Sequence, residues 1–352
     1  MKSLRRVAIV VGLVLLAFWL FGRGGGQAVE PGSVLTLEIS GSYVEAPESP
    51  IFERLLGSGR QPFMGLLSEL EKARRDDRLA AVILHIGSLG VSWGKAAELR
   101  EAIQALASPG RRVVALLDLE SFGANLEYYV ASAAPEVFAT PGNHSPLVGL
   151  AGEYLFLGGL FERFGLEVYV ERIGRFKTAG ETFGSNQMSA ANREMMKSLL
   201  DSIDSQFVGG IASSRGLSEE AVRSAIDEAP FDSDRMIALG LLDGVHYLDD
   251  LQDEIDADAP QLDGADYAGV DLASVGFEPK ASFALIYGSG NVVLGQGTTS
   301  RMGSPVMASE TVSKALIEAA ESDEIAAVIL RIDSPGGSPL AADQIWHAVE
   351  RV

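Results

Sequence analysis

The sequence predicts an α/β fold made of repeated strand–helix–strand units. Short apolar strands alternate with segments whose apolar residues recur at helical spacing, a pattern typical of parallel sheets with right-handed crossovers. One strand also occurs twice: residues 80–86 read Ala-Ala-Val-Ile-Leu-His-Ile, and residues 326–332 read Ala-Ala-Val-Ile-Leu-Arg-Ile, 246 positions later. We therefore expect two copies of one domain, the second of them incomplete at Val352.

The first elements follow from these patterns in order. Residues 33–39 alternate apolar and polar side chains, as a half-buried strand does. Residues 64–75 place apolar side chains at helical spacing and end in a charged run, which predicts a helix. Residues 81–86 form a mainly apolar run, as expected of a strand in a sheet covered on both faces, and residues 113–119 predict another buried strand. A helix is expected between them, over 95–106.

The remainder of the first copy is predicted to contain more helix. Residues 124–134 and the long segments 192–214 and 219–225 have helical patterns, whereas residues 167–173 predict a strand. Residues 243–266 are acidic, alanine-rich and only weakly periodic, so we expect them to link the two copies.

The second copy repeats the order of the first. Residues 282–287 resemble the first strand, residues 311–320 predict a helix, and residues 326–332 form the repeated strand. A helix over 341–351 then reaches the last residues of the sequence.

The first 28 residues are expected to lie outside the fold. Lys2, Arg5 and Arg6 precede an uncharged apolar run over residues 7–21, which a glycine-rich linker follows. As a helix this run would reach about 22 Å, less than a hydrocarbon core of about 30 Å, which fits a short membrane anchor or, alternatively, a cleaved secretory signal. Basic residues before the run place that end in the cytoplasm and the body outside. The expected domains are 1–28, 29–270 and 271–352.

Composition excludes several classes of function. The 352 residues are 47% hydrophobic and 22% charged, so packed cores can form, and the net charge of -20 argues against nucleic acid as a partner. Without cysteine there is no disulfide or thiolate nucleophile. The four histidines, His85, His144, His246 and His347, are scattered without metal-ligand spacing, so neither a metal nor another cofactor is expected.

Residues 333–338, Asp-Ser-Pro-Gly-Gly-Ser, stand between the repeated strand and a predicted helix. Glycines in such a turn let backbone amides approach a ligand, and two amides directed at one point form an oxyanion hole. A plain strand-to-helix turn is the alternative. The first copy has Gly-Ser-Leu-Gly-Val at residues 87–91 instead, which favours a function specific to the second copy.

Lys177 is the second candidate. It stands between Phe176 and Thr178, and most lysines in such settings are solvated surface charges. A lysine serves as a base near neutral pH only if burial lowers its pKa from about 10.4. Apolar neighbours are compatible with that role without establishing it.

Two motifs together resemble the signal peptide peptidase A family, also called protease IV. Residues 172–179 read Arg-Ile-Gly-Arg-Phe-Lys-Thr-Ala, with Glu181 and Phe183 following, and residues 331–338 match the family's turn. The resemblance covers essentially everything from residue 33 onward. It implies a duplicated fold of the Clp protease and crotonase type that hydrolyses peptide bonds with a Ser–Lys dyad.

The resemblance also implies roles for particular residues. Lys177 would be the general base, while Gly336 and Gly337 would contact the oxyanion or the substrate backbone. The substrates would be cleaved signal peptides. The protein would be a homotetramer held by one N-terminal anchor in the bacterial inner membrane, with its body on the extracytoplasmic side.

The sequence departs from the family at the nucleophile. The corresponding first-copy position is Asn125, and its second-copy counterpart would fall beyond Val352, so we expect the serine there and no activity from these residues alone. Ser334 and Ser338 lie on the turn and are not assigned as nucleophiles. Thr182 stands where the family commonly has proline, for which only a local loop difference is expected.

Two other interpretations remain open at this point. A catalytically inactive, membrane-tethered oligomeric scaffold would become the better hypothesis if the reading frame ends at Val352. A crotonase-like acyl-CoA enzyme would use the same fold and a similar turn, although export away from the CoA pool argues against it.

Overall fold

A computed structural model of the protein describes residues 29–45, 61–119, 123–143, 147–229, 232–300 and 303–352. The apolar run at 7–21, predicted to be an anchor or signal, lies outside these residues. Across the described part of the chain, no helix combines the length and apolar character needed to cross a bilayer.

The described residues form eleven strands. They are β1 Ser33–Val44, β2 Gln61–Pro62, β3 Leu79–Gly90, β4 Arg112–Leu117, β5 Glu136–Ala139, β6 Gly244–Val245, β7 Gln261–Asp263, β8 Ser282–Ser289, β9 Asn291–Val293, β10 Val306–Ala308 and β11 Ile325–Asp333.

Helices separate most of these strands. They are α1 Phe63–Arg75, α2 Trp93–Gln104, α3 Asn125–Ala131, α4 Gly158–Arg163, α5 Glu181–Gly184, α6 Ala190–Arg215, α7 Glu219–Glu228, α8 Ser233–Ala238, α9 Leu248–Asp256, α10 Gly264–Ala268, α11 Ser309–Ala320 and α12 Pro339–Arg351, with a 3₁₀ turn at Leu272–Val275.

The chain divides into two compact units. The first unit comprises residues 29–41 and 78–264, and it is built on a sheet in which the strands lie in the order β7-β1-β3-β4-β5-β6. The pairs from β3 to β6 are parallel, as is the pair of β1 with β7. Its core contains fully buried residues such as Ala81, Ile83 and Val114, as the continuous apolar runs predict.

Helices α2, α3 and α6 pack together within the first unit through aromatic side chains. The rings of Trp93, Tyr129 and Phe207, one from each helix, have centroids 5.6 to 6.2 Å apart. Helix α6 begins at the N-cap Ser189 and ends at Gly216, whose φ of 65° is the left-handed conformation common after a helix.

The second unit comprises residues 42–77 and 265–352, within the described ranges. Strands β8 and β11 form one parallel pair and β9 and β10 another. Helices α11 and α12 pack on these strands through buried residues. These are Val292, Met307, Val312, Leu316, Ala341, Ile345 and Ala348.

The predicted α/β class is confirmed, and most predicted elements are present with slightly different ends. Three pairs of elements also begin 246 residues apart. Helices α1 and α11 begin at Phe63 and Ser309, strands β3 and β11 at Leu79 and Ile325, and helices α2 and α12 at Trp93 and Pro339.

The predicted strand at residues 167–173 is wrong. These residues belong to no strand and are exposed; Tyr169 is 87% and Ile173 93% accessible to solvent. The segment contains β-branched and aromatic residues suited to a strand, but a strand requires a hydrogen-bonded neighbour, and the described residues supply none here.

The prediction that residues 243–266 merely link two copies is also wrong. This segment contains β6, α9 and β7, and β7 extends the sheet beside β1. Leu251 of α9 is fully buried in the core of the first unit, and Leu262 of β7 is 5% exposed. A few apolar residues at helical spacing sufficed to fold an otherwise acidic segment.

Candidate active site

Lys177 lies in an irregular loop of residues 172–181, here named the lysine loop, which leads into α5. The Lys177 side chain is exposed, and its amine forms no hydrogen bond or ion pair with any of the described residues. The next residue, Thr178, is buried, and its carbonyl accepts a 2.9 Å hydrogen bond from the Glu181 amide. The loop is therefore fixed beside the lysine while the amine stays unpaired.

Glu181 attaches the lysine loop to helix α6. Its Oε1 accepts hydrogen bonds from Ser189 Oγ at 2.7 Å and from Arg172 Nη1 at 3.1 Å. Its Oε2 accepts from the Ser189 amide at 3.2 Å and from Asn192 Nδ2 at 3.0 Å. Because Glu181 is only 8% exposed, protein donors rather than water satisfy this carboxylate.

These donors stabilise the ionised form of Glu181. The hydrogen bond from the Ser189 hydroxyl contributes most to holding the pKa of Glu181 at about 2, below its ordinary value of 4.5. Burial acts in the opposite direction, and the Ser189 amide, Asn192 and Arg172 lower the pKa further. Glu181 is consequently a carboxylate throughout the neutral range.

The helix that holds Glu181 is itself well anchored. Ser189 is the N-cap of α6, and its Oγ accepts a hydrogen bond from the Asn192 amide at 3.2 Å. Towards its other end α6 is buried through Phe207, Val208 and Ile211. The lysine loop is thus connected, through one carboxylate, to a helix packed in the core of the first unit.

A largely apolar cleft of about 650 Å³ opens beside Lys177. Its lining includes Tyr154, Phe156, Ile173, Phe176, Met195 and Met196. A second cleft of about 490 Å³ shares Tyr154 and Met196 with the first. Methionine side chains adapt to irregular apolar partners, so this surface suits extended apolar ligands of varied sequence.

Residues 333–338 form the turn between β11 and α12 in the second unit. Gly336 has a φ of +96°, a backbone conformation that strongly favours glycine. Gly337 packs directly against the backbone of Val292 in β9, where no side chain fits. Each glycine is therefore required for its own reason, conformation at 336 and space at 337.

The hydrogen bonds of this turn leave the Gly337 amide without an acceptor among the described residues. The Val292 amide donates to the Gly336 carbonyl at 3.0 Å, and the Ser338 amide donates to the Val292 carbonyl at 2.9 Å. In this parallel pairing the amide of the intervening Gly337 points away from β9. Within the described residues it has no acceptor, so Gly337 offers a donor of the kind that an oxyanion requires.

The two serines of the turn already have structural partners. Ser334 Oγ accepts a hydrogen bond from the Gly336 amide at 3.1 Å. Ser338 is the N-cap of α12, and its Oγ accepts from the Ala341 amide at 3.4 Å. The Gly336 amide is therefore engaged, unlike that of Gly337.

The positions that sequence analysis matched to the nucleophile and to the glycine turn, Asn125 and residues 87–91, are occupied differently. Asn125 begins α3, is 7% exposed, and accepts a hydrogen bond from the Val148 amide through its Oδ1 at 2.8 Å. Glu127 Oε1 accepts from the Leu89 amide at 2.8 Å, within the segment that corresponds to the glycine turn. Side chains thus engage the Val148 and Leu89 amides at these positions.

Lys177 belongs to the first unit, and the Gly336–Gly337 pair belongs to the second. The sequence motif includes Glu181, but its contacts with Ser189 and Asn192 were not predicted. A carboxylate four residues after the lysine, followed by a serine just before a long helix, was the available signal.

Two histidines pair with carboxylates: His85 Nε2 lies 3.4 Å from Asp118 Oδ2, and His246 Nε2 lies 3.0 Å from Glu254 Oε2. Among the described residues, no group of three or more histidine or carboxylate side chains could hold a metal ion.

Comparison with known proteins places this geometry in context. Residues 107–261 match the model of peptidase family S49. The chain is 32% identical over 333 residues to "Serine protease SPPA, chloroplastic" of Arabidopsis thaliana, covering 92% of this chain and 48% of that protein. It is 22% identical over 367 residues to "Protease 4" of Salmonella typhi, covering 96% of this chain and 57% of that protein.

A third relative is "Protease 4" of Haemophilus influenzae, 22% identical over 301 residues, which are 80% of this chain and 48% of that protein. The chain therefore spans about half the length of the curated relatives it matches.

Proposed function

The chain belongs to peptidase family S49, the family of signal peptide peptidase A, and from this we propose that it carries the general base of a Ser–Lys serine endopeptidase. Its substrates would be signal peptides released at the membrane, or other extended apolar peptides. Relatives named as proteases support the peptidase activity, while the dyad rests on the resemblance of the lysine loop and the glycine turn.

The observation that best supports this assignment is that the amine of Lys177, at the edge of the apolar cleft, has no partner among the described residues. A general base has to accept a proton, so an amine held in an ion pair would serve poorly. The other charged groups of the lysine loop are engaged: Arg172 pairs with Glu181, and Arg175 pairs with Glu194. The apolar lining of the cleft supports an apolar peptide as substrate.

In the proposed reaction, the neutral amine of Lys177 takes the proton of the serine hydroxyl as its oxygen attacks the scissile carbonyl. The carbonyl electron pair moves onto its oxygen, and the amide of Gly337 stabilises the negative charge. The tetrahedral intermediate then collapses, and the lysine returns the proton to the departing amine. Water hydrolyses the resulting acyl-enzyme by the same route.

The neutral form of the amine needs a site from which water is excluded. Lys177 is exposed in the chain alone, so the covering group has to come from elsewhere. An apolar peptide that fills the cleft would supply it, with Phe176 and Ile173 completing the enclosure.

The serine would come from a second copy of the domain. The three pairs of elements that begin 246 residues apart support a duplication, whose fold would be of the Clp protease and crotonase type. The first-copy counterpart Asn125 is no nucleophile, and we assign none among these 352 residues.

We also propose an assembly at the membrane. Exposed apolar side chains are frequent between α4 and α5, including Phe164, Leu166 and Tyr169, which supports a homo-oligomer in which this surface is covered. The predicted anchor at residues 7–21 would hold the protein at the bacterial inner membrane, its body extracytoplasmic.

A serine-directed acylating probe tests the dyad in the complete protein. We expect the unaltered protein to be labelled, Lys177→Ala to lose labelling at least a hundredfold, and Lys314→Ala to be labelled normally. Lys314 is a suitable control because it is an exposed lysine in a surface pair with Glu318.

Equal labelling of Lys177→Ala and the unaltered protein would remove Lys177 from the mechanism. A complete protein that is never labelled, yet assembles at the membrane, would favour an inactive scaffold instead.

A further inference from the structure

The lysine loop is closed on itself by an ion pair. Arg172, five residues before Lys177, donates from Nη1 to Glu181, four residues after it, at 3.1 Å. The same carboxylate accepts two hydrogen bonds from Ser189 and one from Asn192. Both ends of the loop that carries Lys177 therefore meet at one buried group.

We propose that Glu181 is the positioning residue for Lys177, because it fixes both ends of the lysine loop to the start of α6. This inference rests on the proposed function, in which Lys177 is the general base. Glu181 contacts neither substrate nor nucleophile in this arrangement; it acts by holding the backbone from which Lys177 projects.

A carboxylate suits this role better than an amide would. All four partners of Glu181 are donors, from Arg172, Ser189 and Asn192, so both oxygens have to accept. In Glu181→Gln the side-chain NH₂ would face donors, and at least one hydrogen bond would be lost while the volume stays the same.

The backbone near Glu181 is closely packed as well. A Cβ at Gly180 would lie 2.3 Å from Val170 Cγ1, so the loop passes this point without room for a side chain. With Thr178 buried and its carbonyl bonded to the Glu181 amide, the residues on the carboxyl side of Lys177 have little freedom.

The same loop and helix provide a matched control. Arg175 Nη2 lies 3.1 Å from Glu194 Oε1, which also joins the lysine loop to α6, but both side chains are more than half exposed. Such a surface pair contributes little to structure. Glu194→Gln therefore removes an ion pair with the same connectivity and no buried partner.

The experiment measures steady-state hydrolysis of an apolar fluorogenic peptide by the complete protein and its variants Glu181→Gln, Glu194→Gln, Arg172→Met and Lys177→Ala. We expect Glu181→Gln to lower kcat at least tenfold with KM within about twofold of the unaltered value, because a displaced base impairs the chemical step rather than binding. Arg172→Met should lower kcat at least threefold, and Glu194→Gln should change neither constant.

A merely structural role predicts a different pattern. If Glu181→Gln lowers the amount of folded protein, the active fraction falls while turnover per folded molecule, titrated with the acylating probe, stays normal; that result would overturn the inference. Where Glu181→Gln does not fold at all, Arg172→Met decides, and an unchanged kcat there would also overturn it. Normal kcat in Glu181→Gln with an inactive Lys177→Ala refutes this inference alone, whereas an active Lys177→Ala refutes the proposed function.

Discussion

Gly337 packs so closely on Val292 that a Cβ at residue 337 would lie 2.2 Å from the valine carbonyl oxygen and 2.8 Å from its amide nitrogen. Both atoms belong to backbone, which cannot move aside as a flexible side chain can. Only glycine therefore fits at residue 337 while the turn is paired with β9. That pairing is also what directs the Gly337 amide away from the strand.

Gly337→Ala should break this pairing. We expect the Ser338 amide, which donates to the Val292 carbonyl, to exchange with solvent at least tenfold faster, and the free energy of unfolding to fall by about 2 kcal/mol. Gly336→Ala is the comparison, since it meets no atom within 4 Å and suffers only from its positive φ, a cost of about 1 kcal/mol. Unchanged exchange at Ser338 in Gly337→Ala would contradict the packing.

The pH dependence of stability should report on Glu181. Its pKa is about 2 in the folded chain against an ordinary 4.5, so its ionisation stabilises the fold above pH 4.5, and this contribution is lost as the pH falls from 4.5 towards 2. We expect Glu181→Gln to be less stable by about 2 kcal/mol at pH 7, and by half of that or less at pH 3.

Urea denaturation of the unaltered chain and the variant at both pH values gives this comparison. Taking the difference removes the general effect of neutralising other carboxylates. Glu194→Gln serves as the control and should differ little at either pH. The difference in free energy of unfolding between Glu181→Gln and the unaltered chain could instead be the same at pH 7 and pH 3. That result would show that the carboxylate charge does not stabilise the fold.

Arg100 joins three helices of the first unit without a carboxylate. It donates to the Tyr129 carbonyl and to Ser132 Oγ from Nη1, and to the Gly210 carbonyl and Ser214 Oγ from Nη2. Burial lowers the pKa of this guanidinium because it removes water from the charged group. The four acceptors therefore have to replace the hydrogen bonds that water would make to the charge.

Arg100→Met should lower the free energy of unfolding by about 3 kcal/mol, since four acceptors, those of Tyr129 and Ser132 buried, lose a charged donor. Lysine cannot reach four acceptors as the planar guanidinium does. In urea denaturation, the free energy of unfolding of Arg100→Lys should therefore lie between those of the unaltered chain and Arg100→Met. A variant with methionine as stable as the unaltered chain would mean that apolar packing replaces these hydrogen bonds without loss.

The strands of the first sheet could be predicted because they are buried on both faces. Residues 81–86 are apolar except for His85, and in the sheet all of the apolar ones are inaccessible to solvent. Residues 167–173 have an equally suitable pattern, but whether such a segment becomes a strand depends on a neighbour that its own residues do not specify.

The candidate site, like the fold, could be predicted only in part. Lys177 and the glycine turn stand out in the sequence because chemistry restricts which residue types can serve there. Glu181 does not stand out, because its importance arises from four donors that converge on it, from positions 172, 189 and 192. Such convergence depends on how the loop meets α6, which spacing alone does not determine.

Asn125→Ser tests whether residue 125, which sequence analysis places at the position of the nucleophile, can become catalytic. Asn125 is buried and its Oδ1 accepts from the Val148 amide, while Glu127 already accepts from the Leu89 amide near the end of β3. We expect no adduct at residue 125 with the serine-directed probe, by mass spectrometry of the digested protein, and a loss of about 1 kcal/mol of stability. A probe adduct at residue 125 would mean that this copy retains a working oxyanion site.

Met196 should influence substrate binding more than turnover, because it lines both clefts near Lys177 and its sulfur contacts the Tyr154 hydroxyl. Met196→Ser removes an adaptable apolar contact, which at about 1 to 2 kcal/mol corresponds to a five- to thirtyfold increase in KM for an apolar peptide, with kcat nearly unchanged. Leu199→Ser is a matched control on the same helix, since Leu199 is half exposed and lines neither cleft. Equal KM values for the two variants would show that the peptide does not bind along this surface, and the cleft beside Lys177 would then need another role.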